Sequence, residues 1–355
     1  MDLTINSSKV VVFGGLAKTG TTLPLTLLDG HTHLTVFPEE LRFFHLRLDR
    51  LDPDDAAFCF LNSRHCQLLG ETPSFFDSND YMAHHGTGFG RRDYTAFNYQ
   101  LFSEAIKKGF QEAATTEGRF NTIINAFKLG IGKNPVKDQS IFVCKAPHNE
   151  IYSKKWIEML NHRGLYVITT RLPTEHFISL NNIQHIQNRR ALNPLSHVNT
   201  VRARAELWDN FPQKNTLFID YDELLAQSNK VVDDLCSFIG VNREPINNKP
   251  TKMSIEWAGN SSRGIVKNEI FSNPHKAQKQ LSKKTIIKIE QNLISLYERF
   301  GWDFIYHANL TQKLSAQLQR IVWGWVAQVK KFARIFLTFR LPRTPKDQIK
   351  GITKQ

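Results

Sequence analysis

The sequence predicts a layered α/β protein with a mostly parallel central sheet. Three observations carry that expectation. Short β-branched and apolar runs recur along the chain, amphipathic helical stretches lie between them, and the first run flows into a glycine-rich loop. Strands alternating with helices imply βαβ units, whose crossover helices join parallel neighbours.

Residues 9–13 (KVVVF) read as a fully buried strand. Residues 21–28 read as a helix stopped at Asp29-Gly30. Residues 140–144 (SIFVC), 165–170 (LYVITT) and 216–221 (TLFIDY) are three more strand-like runs. Between them, residues 151–162 fit a helix that ends at Gly164, and residues 223–239 fit one stopped by Gly240. Residues 286–300 form a further helical pattern, closed by Gly301. Residues 52–95, rich in Asp, Ser, His and Gly, read as an irregular insertion suited to a substrate rim. No internal repeat is present.

A length of 355 residues suits one large α/β domain with insertions, or two domains. The hydrophobic fraction of 41% and the 25 phenylalanines supply material for a sizeable core. With 46 Lys and Arg against 33 Asp and Glu, the net charge is +13. That excess favours an anionic partner: nucleotide phosphate, an acidic or sulfated polymer, nucleic acid or an anionic membrane. Cys59, Cys66, Cys144 and Cys236 contain no CxxC pair, so reduced core thiols are expected. The first residues lack an apolar stretch of signal-peptide length, and the expected location is the cytoplasm.

Residues 14–22 (GGLAKTGTT) follow the first strand and open a helix. Glycines let the backbone approach a phosphate, and the N–H groups of such a loop converge on it. Thr21 and Thr22 add hydroxyls, and Lys18 can reach the bridging oxygen between a phosphate and a transferred group. Gly15 and Gly20 have the glycine separation of the ATPase P-loop, G-x-x-x-x-G-K-[ST]. Thr21, however, stands where that motif has lysine, and the lysine lies upstream. The displacement argues against an ATPase or kinase.

Lys18-Thr19-Gly20-Thr21-Thr22 resembles the 5′-phosphosulfate loop, K-[ST]-G-[TS]-[TS], of the sulfotransferase superfamily. These enzymes use 3′-phosphoadenosine 5′-phosphosulfate (PAPS). The resemblance extends to the 3′-phosphate site, where the family places an arginine after a buried strand and a serine eight positions on. Here these are Arg171 and Ser179. Arg171 offers a planar fork to phosphate oxygens. Lys145-Ala146-Pro147-His148 resembles the family's K-x-P-like turn, and Ser261-Ser262-Arg263-Gly264 looks like its late loop closing over the nucleotide. The implied architecture is a P-loop-like three-layer fold, closest in flavour to the carbohydrate and heparan-type branch and its bacterial relatives.

Residues 37–44 (FPEELRFF) resemble the heparan-type segment K-E-x-x-F-F. The resemblance makes Glu40 the general base and Phe43-Phe44 the aromatic pair at the substrate, with Glu39 in place of the family's lysine. His148 is the runner-up base. Residues 70–76 (GETPSFF) are similar to G-E-K-[ST]-P-x-[YF] without its lysine, which points to Glu71 as an acceptor contact, and Lys145 of the K-x-P-like turn is a further substrate-binding candidate. The implied partner is a carbohydrate or other hydroxyl acceptor; no nucleic acid and no metal is implied. His31, His33, His84 and His85 form no ligand constellation. A P-loop kinase and a catalytically inactive nucleotide- or glycan-binding relative are the alternatives.

The domain expected from this resemblance spans residues 1–306. Beyond it, Leu318, Val322, Trp325, Val329, Phe332, Phe336 and Phe339 recur at spacings of four and three, among Arg320, Lys330, Lys331, Arg334 and Arg340. A spanning helix needs ~20 largely uncharged residues, and these charges forbid one. Residues 307–341 therefore read as a basic amphipathic helix, either lying on an anionic membrane or packed on protein. Residues 342–355 read as a basic disordered tail.

Overall fold

The computed structural model of the chain describes residues 9–70, 94, 96–256 and 276–306. These fall into two units, one ending at Leu281 and the other starting at Ser282.

The first unit is built on five strands: β1 (Val10–Gly14), β2 (Leu34–Glu40), β3 (Ile141–Lys145), β4 (Gly164–Thr170) and β5 (Thr216–Asp220). They form one sheet in the order β2-β3-β1-β4-β5, and every neighbouring pair is parallel. Val10 to Phe13 are wholly buried, as a central parallel strand covered on both faces requires. The expected α/β class with a parallel sheet is therefore what the chain adopts.

The helices of this unit are α1 (Thr22–Leu28), α2 (Pro53–Leu61), α3 (Arg64–Gln67), α4 (Tyr99–Glu112), α5 (Thr116–Gly130), α6 (Ser153–Leu160), α7 (Pro173–Ile186), α8 (Pro194–Trp208), α9 (Tyr221–Ala226), α10 (Ser228–Ile239) and α11 (Lys276–Gln280). A hairpin of β6 (Thr251–Lys252) and β7 (Ile255–Glu256) follows α10. One sheet face is mostly aliphatic: Val11, Val143 and Val167, with Phe13, pack with Leu25 and Leu28 of α1 and with Val232 and Leu235 of α10. The other face is aromatic. Phe37 and Phe142 meet Phe127 of α5, and Phe120 links Phe142 to Trp156 of α6. Phe37, Phe120, Phe127, Phe142 and Trp156 thus form one packed layer.

Three elements differ from the sequence reading. The helix expected over 223–239 starts at Tyr221 and breaks at Gln227, because the Asp220 carboxylate accepts from the N–H groups of Asp222 and Glu223 and caps a separate short helix. The segment 52–95 is not irregular at its start. Pro53 opens a helix whose Ala56, Ala57, Phe60 and Leu61 share a buried face. Residues 34–40 form an edge strand, where Pro38 is tolerated.

Parallel strands bring all their carboxyl ends to one edge of the sheet, where ligands of such folds bind. The register fixes which residues arrive there together: Phe13 beside Lys145, Gly14 beside Ile168, Glu40 beside Lys145, and Thr170 beside Asp220. Between Val36 and Glu40 the β2 register is irregular, with four residues of β2 spanning two of β3.

The second unit contains α12 (Lys283–Asn292) and α13 (Ile294–Phe300), separated at Leu293 rather than continuous. Ser282 caps α12 by accepting from the Thr285 N–H. Buried Glu290 accepts the N–H groups of Ile305 and Tyr306, which folds the chain back after the left-handed Gly301. The expected helix over 307–341 lies outside the described residues. Among the described residues no helix is long and apolar enough to cross a membrane.

Candidate active site

The loop from Gly14 to Thr22 is shaped by residues of β4, α7 and α9. Gly15 and Gly20 have φ of 122° and 91°, conformations that other residues rarely adopt. A Cβ on Gly15 would stand 2.5 Å from the Thr169 carbonyl, and one on Gly20 would enter the Tyr221 ring. Lys18 also has a positive φ, of 72°, at the apex. A long side chain held in the left-handed region is strained, and such strain clusters at ligand sites.

Buried side chains hold that apex. The Thr19 hydroxyl donates to the Leu16 carbonyl at 2.7 Å and lies 3.0 Å from the Thr169 hydroxyl. Thr19, expected to contact the nucleotide, is thus committed to the loop's own fold. His176 Nε2 sits 2.8 Å from the Ala17 carbonyl, and Arg171 Nη1 donates to the Lys18 carbonyl at 3.4 Å. Burial pushes the His176 pKa down to about 3, so its ring is neutral and donates that bond. Peptide planarity then turns the Lys18 N–H, which shares a plane with the Ala17 carbonyl, away from His176. His176 and Thr169 carry no motif signal of their own; His176 lies inside the RLPTEHFIS segment that supplied Arg171 and Ser179, and Tyr221 opens a YDELL stretch similar to the family's Y-E-D-L.

Three cations gather around the loop. Lys145 ends β3 and donates to the Thr22 hydroxyl at 3.0 Å. Arg171 follows β4 and lies over the Tyr221 ring at 4.8 Å, with its Nε buried and lacking a hydrogen bond. Burial, then the charges of Arg171 and Lys145, bring the Lys18 pKa down to about 8. Such crowding of like charge in a sheltered place fits a polyanion, whose phosphates would relieve the repulsion. Ser179, half-buried, lies on α7, the helix that follows Arg171.

Glu40 reaches the same edge from β2. Its Oε1 lies 3.6 Å from Lys145 Nζ and its Oε2 3.1 Å from His65 Nε2. Burial raises the pKa of this carboxyl, but Lys145, His65 and Arg42 outweigh it and hold the group far below the usual carboxylate range. Glu39 is buried and accepts from the Tyr94 hydroxyl at 2.7 Å and from Lys252 Nζ at 2.9 Å. Adjacent strand residues are expected on opposite faces. Here the irregular register lets Glu39 and Glu40 both face His65, with Glu39 Oε2 3.8 Å from its Nδ1.

The remaining candidates are placed as follows. His148, in a left-handed conformation, donates its N–H to the Gly15 carbonyl, and its Nδ1 lies 3.5 Å from Glu150. Glu150 is wholly buried and 3.7 Å from Arg204. Phe43 and Phe44, expected at the substrate, are buried against Phe120, Tyr152 and Trp156. Thr21 is buried beside the loop and makes no side-chain cap bond to α1. Glu71, Ser261, Ser262, Arg263 and Gly264 lie outside the described residues.

No curated protein sequence matches the chain. Among solved structures it is similar to the sulfotransferase domain from the curacin biosynthetic pathway, at 15% identity over 84% of this chain and 99% of that one, with a TM-score of 0.49. It is also similar to the sulfotransferase domain of the Synechococcus PCC 7002 olefin synthase, at 17% identity over 83% and 94%, with a TM-score of 0.49. A sulfotransferase from Mycobacterium avium is similar at 11% identity over 85% and 79%, with a TM-score of 0.43. The model of the sulfotransferase family matches residues 11–245, a span that holds the glycine loop, the Glu40 strand and Arg171, and the chain belongs to that family.

Proposed function

We propose that the chain transfers a sulfuryl group from PAPS to a hydroxyl of a carbohydrate or glycoconjugate, with Glu40 as general base. The family implies the donor. The observation that carries the rest is one side chain. Lys145 lies 3.6 Å from Glu40 and 3.0 Å from Thr22, which joins the candidate base to the candidate phosphate loop.

In this reading the acceptor O–H bond breaks and its proton passes to Glu40. The acceptor oxygen bonds to sulfur while the bond from sulfur to the bridging oxygen breaks, and the electron pair leaves with the donor's phosphate. Lys18 and Lys145 neutralise the charge that develops on that phosphate, an effect strongest where water is excluded. Arg171 and Ser179 take the 3′-phosphate. The sugar class of the acceptor rests on the resemblance of residues 37–44 to the heparan-type segment.

A second reading has one observation in its favour. Glu150 stands 3.5 Å from His148 Nδ1, and a carboxylate so placed orients an imidazole for proton transfer. Labelled PAPS with a panel of polysaccharides, glycolipids and small alcohols tests both. Glu40→Gln is expected to lower kcat by ~10²–10⁴, the usual loss with a general base, and to spare PAPS affinity. Collapse in His148→Ala with a near-normal Glu40→Gln would move the base to His148.

A further inference from the structure

His65 takes no part in the reaction just described, and its surroundings are unusual. It lies on α3, mostly buried, and each ring nitrogen faces a carboxylate: Nε2 faces Glu40 at 3.1 Å, and Nδ1 faces Glu39 at 3.8 Å. The first is a close ion-pair contact, and the second a longer one in which Nδ1 makes no hydrogen bond. Glu39 is held from its other side by Lys252 and the Tyr94 hydroxyl. His65 is therefore backed by an anion that is itself pinned.

We propose that His65 is the positioning residue of the general base: as an imidazolium it fixes Glu40 Oε2 and leaves Oε1 to meet the acceptor hydroxyl. The inference rests on Glu40 as the base. Lys145 Nζ, at 3.6 Å from Oε1, is beyond hydrogen-bond reach, so that oxygen makes no hydrogen bond among the described residues. The carboxylate thus has one committed and one available oxygen. A base acts only from a fixed geometry within hydrogen-bond reach of its proton, and the close Nε2 contact, 0.5 Å shorter than that of Lys145 to Oε1, supplies that fixity.

Charge supports the geometry. Burial lowers the pKa of His65, but Glu40 and Glu39 outweigh it and raise the group above its ordinary value. The charged and titratable groups facing this pair are Glu39, Lys145, Lys252, Tyr94, Arg42 and His45, with Lys18 across the loop; burial, then Arg42, lower the His45 pKa to about 4, so that ring is neutral over the range tested. Lys145 and Lys252 stand at opposite ends of the row Lys252, Glu39, His65, Glu40, Lys145. A protonated His65 makes the signs alternate along it. His65 keeps its proton through the reaction; its role is to hold Glu40 ionised.

The test is the pH dependence of kcat for the full chain, with labelled PAPS and an accepted hydroxyl substrate. Wild type is expected to show no acid limb down to about pH 4.5, because Glu40 stays ionised there. His65→Gln keeps a donor near Nε2 but loses the charge. With that charge gone, burial is opposed by Lys145 and Arg42 alone, and the acid limb is expected to rise into the ordinary carboxylate range or above, at about pH 4.5 or higher, with the KM for PAPS unchanged. His65→Ala is expected to show the same shift and a lower kcat plateau. Folding of each variant is checked by its thermal shift with 3′,5′-adenosine diphosphate. Variants that lose activity by one factor at every pH would make His65 a packing residue and overturn the proposal. Should neither variant fold, a wild-type acid limb between about pH 5 and 6 overturns it alone. Full activity in Glu40→Gln is a different result: it removes the base reading, whatever His65 does.

Discussion

The two edges of the sheet are both charged, and they use charge in opposite ways. At the amino-terminal edge Asp138 accepts from the Ser140 hydroxyl at 2.6 Å and pairs with Lys128 and Lys133 at 3.3 and 3.8 Å. Lys128, wholly buried, also donates to the Asp138 carbonyl, and Lys133 donates to the Thr35 hydroxyl. This network borders an open cleft of about 680 Å³, yet its charges are answered from within. At the carboxyl edge Lys18, Lys145 and Arg171 crowd together, glycines with positive φ shape the loop, and Glu40 and Asp222 face two of the three cations. A network whose charges are answered from within holds the fold. One that crowds three cations about a glycine loop invites an anionic ligand, at some expense to stability.

The largest test of this contrast is Lys18→Ala. The kcat is expected to fall ~10²–10³-fold, the loss seen when one group stabilising transition-state charge is removed. The Tm is expected not to fall. The sign follows from linkage: the folded pKa, about 8, lies below the unfolded value near 10.4. The charged form is therefore disfavoured by folding, fully so at neutral pH, and stability rises with pH between those two values. A variant that lost Tm along with kcat would make Lys18 a structural residue and erase the contrast.

The opposite edge should answer in the opposite sense. Lys128→Ala removes the buried partner of a half-buried pair and is expected to cost about 1.5–3 kcal/mol, the worth of a hydrogen bond to a charged group, since Lys133 and Ser140 remain on Asp138. Denaturant unfolding measures it. Turnover per folded molecule is expected to stay at the wild-type value, and a loss comparable with that of Lys18→Ala would show that the two edges are coupled.

How much of this was legible in the sequence differs by element. The first strand and its loop could be read because a β-branched run enters glycines, and Arg171 because it follows a second such run. The strand of Leu34–Glu40 could not. Pro38 and two acids mimic a helix start, and only an edge position with an irregular register accommodates them. That irregularity also defeated the expectation that Glu39 and Glu40 face apart. The partners of Glu39 are remote in sequence: Tyr94 and Lys252 reach it from a different loop and from the hairpin. Local pattern carries no signal for such pairings. Phe43 and Phe44 show the converse. Their motif drew attention to a substrate face, while their burial makes them part of the aromatic layer behind it.

The smallest expected effect concerns Asp222, which lies beside Arg171 and would sharpen the account of the carboxyl edge. Burial is the main cause that raises its pKa, to about 6, while Arg171 opposes the rise and Asp220 and Glu175 add to it. One of its oxygens is buried without a hydrogen bond, and the Leu172 N–H donates to the group. The folded pKa lies above the unfolded value near 3.9, so protonation favours the fold. That favourable contribution is complete below the unfolded value and is lost as pH rises through about 6. At neutral pH the chain therefore carries an ionised, half-buried carboxylate that disfavours folding. Asp222→Asn keeps an oxygen for the Leu172 N–H and removes the charge. Its Tm is expected to exceed the wild-type value by roughly 2–4 °C at neutral pH, the shift made by about 1 kcal/mol in a mid-sized domain. Because protonation has already removed the charge from wild type under acid conditions, the gap should close below about pH 4. Thermal scans at the two pH values decide it: a gap of equal size at both would mean that the substitution acts through packing, and that the charge on Asp222 has no part in the strain of this edge.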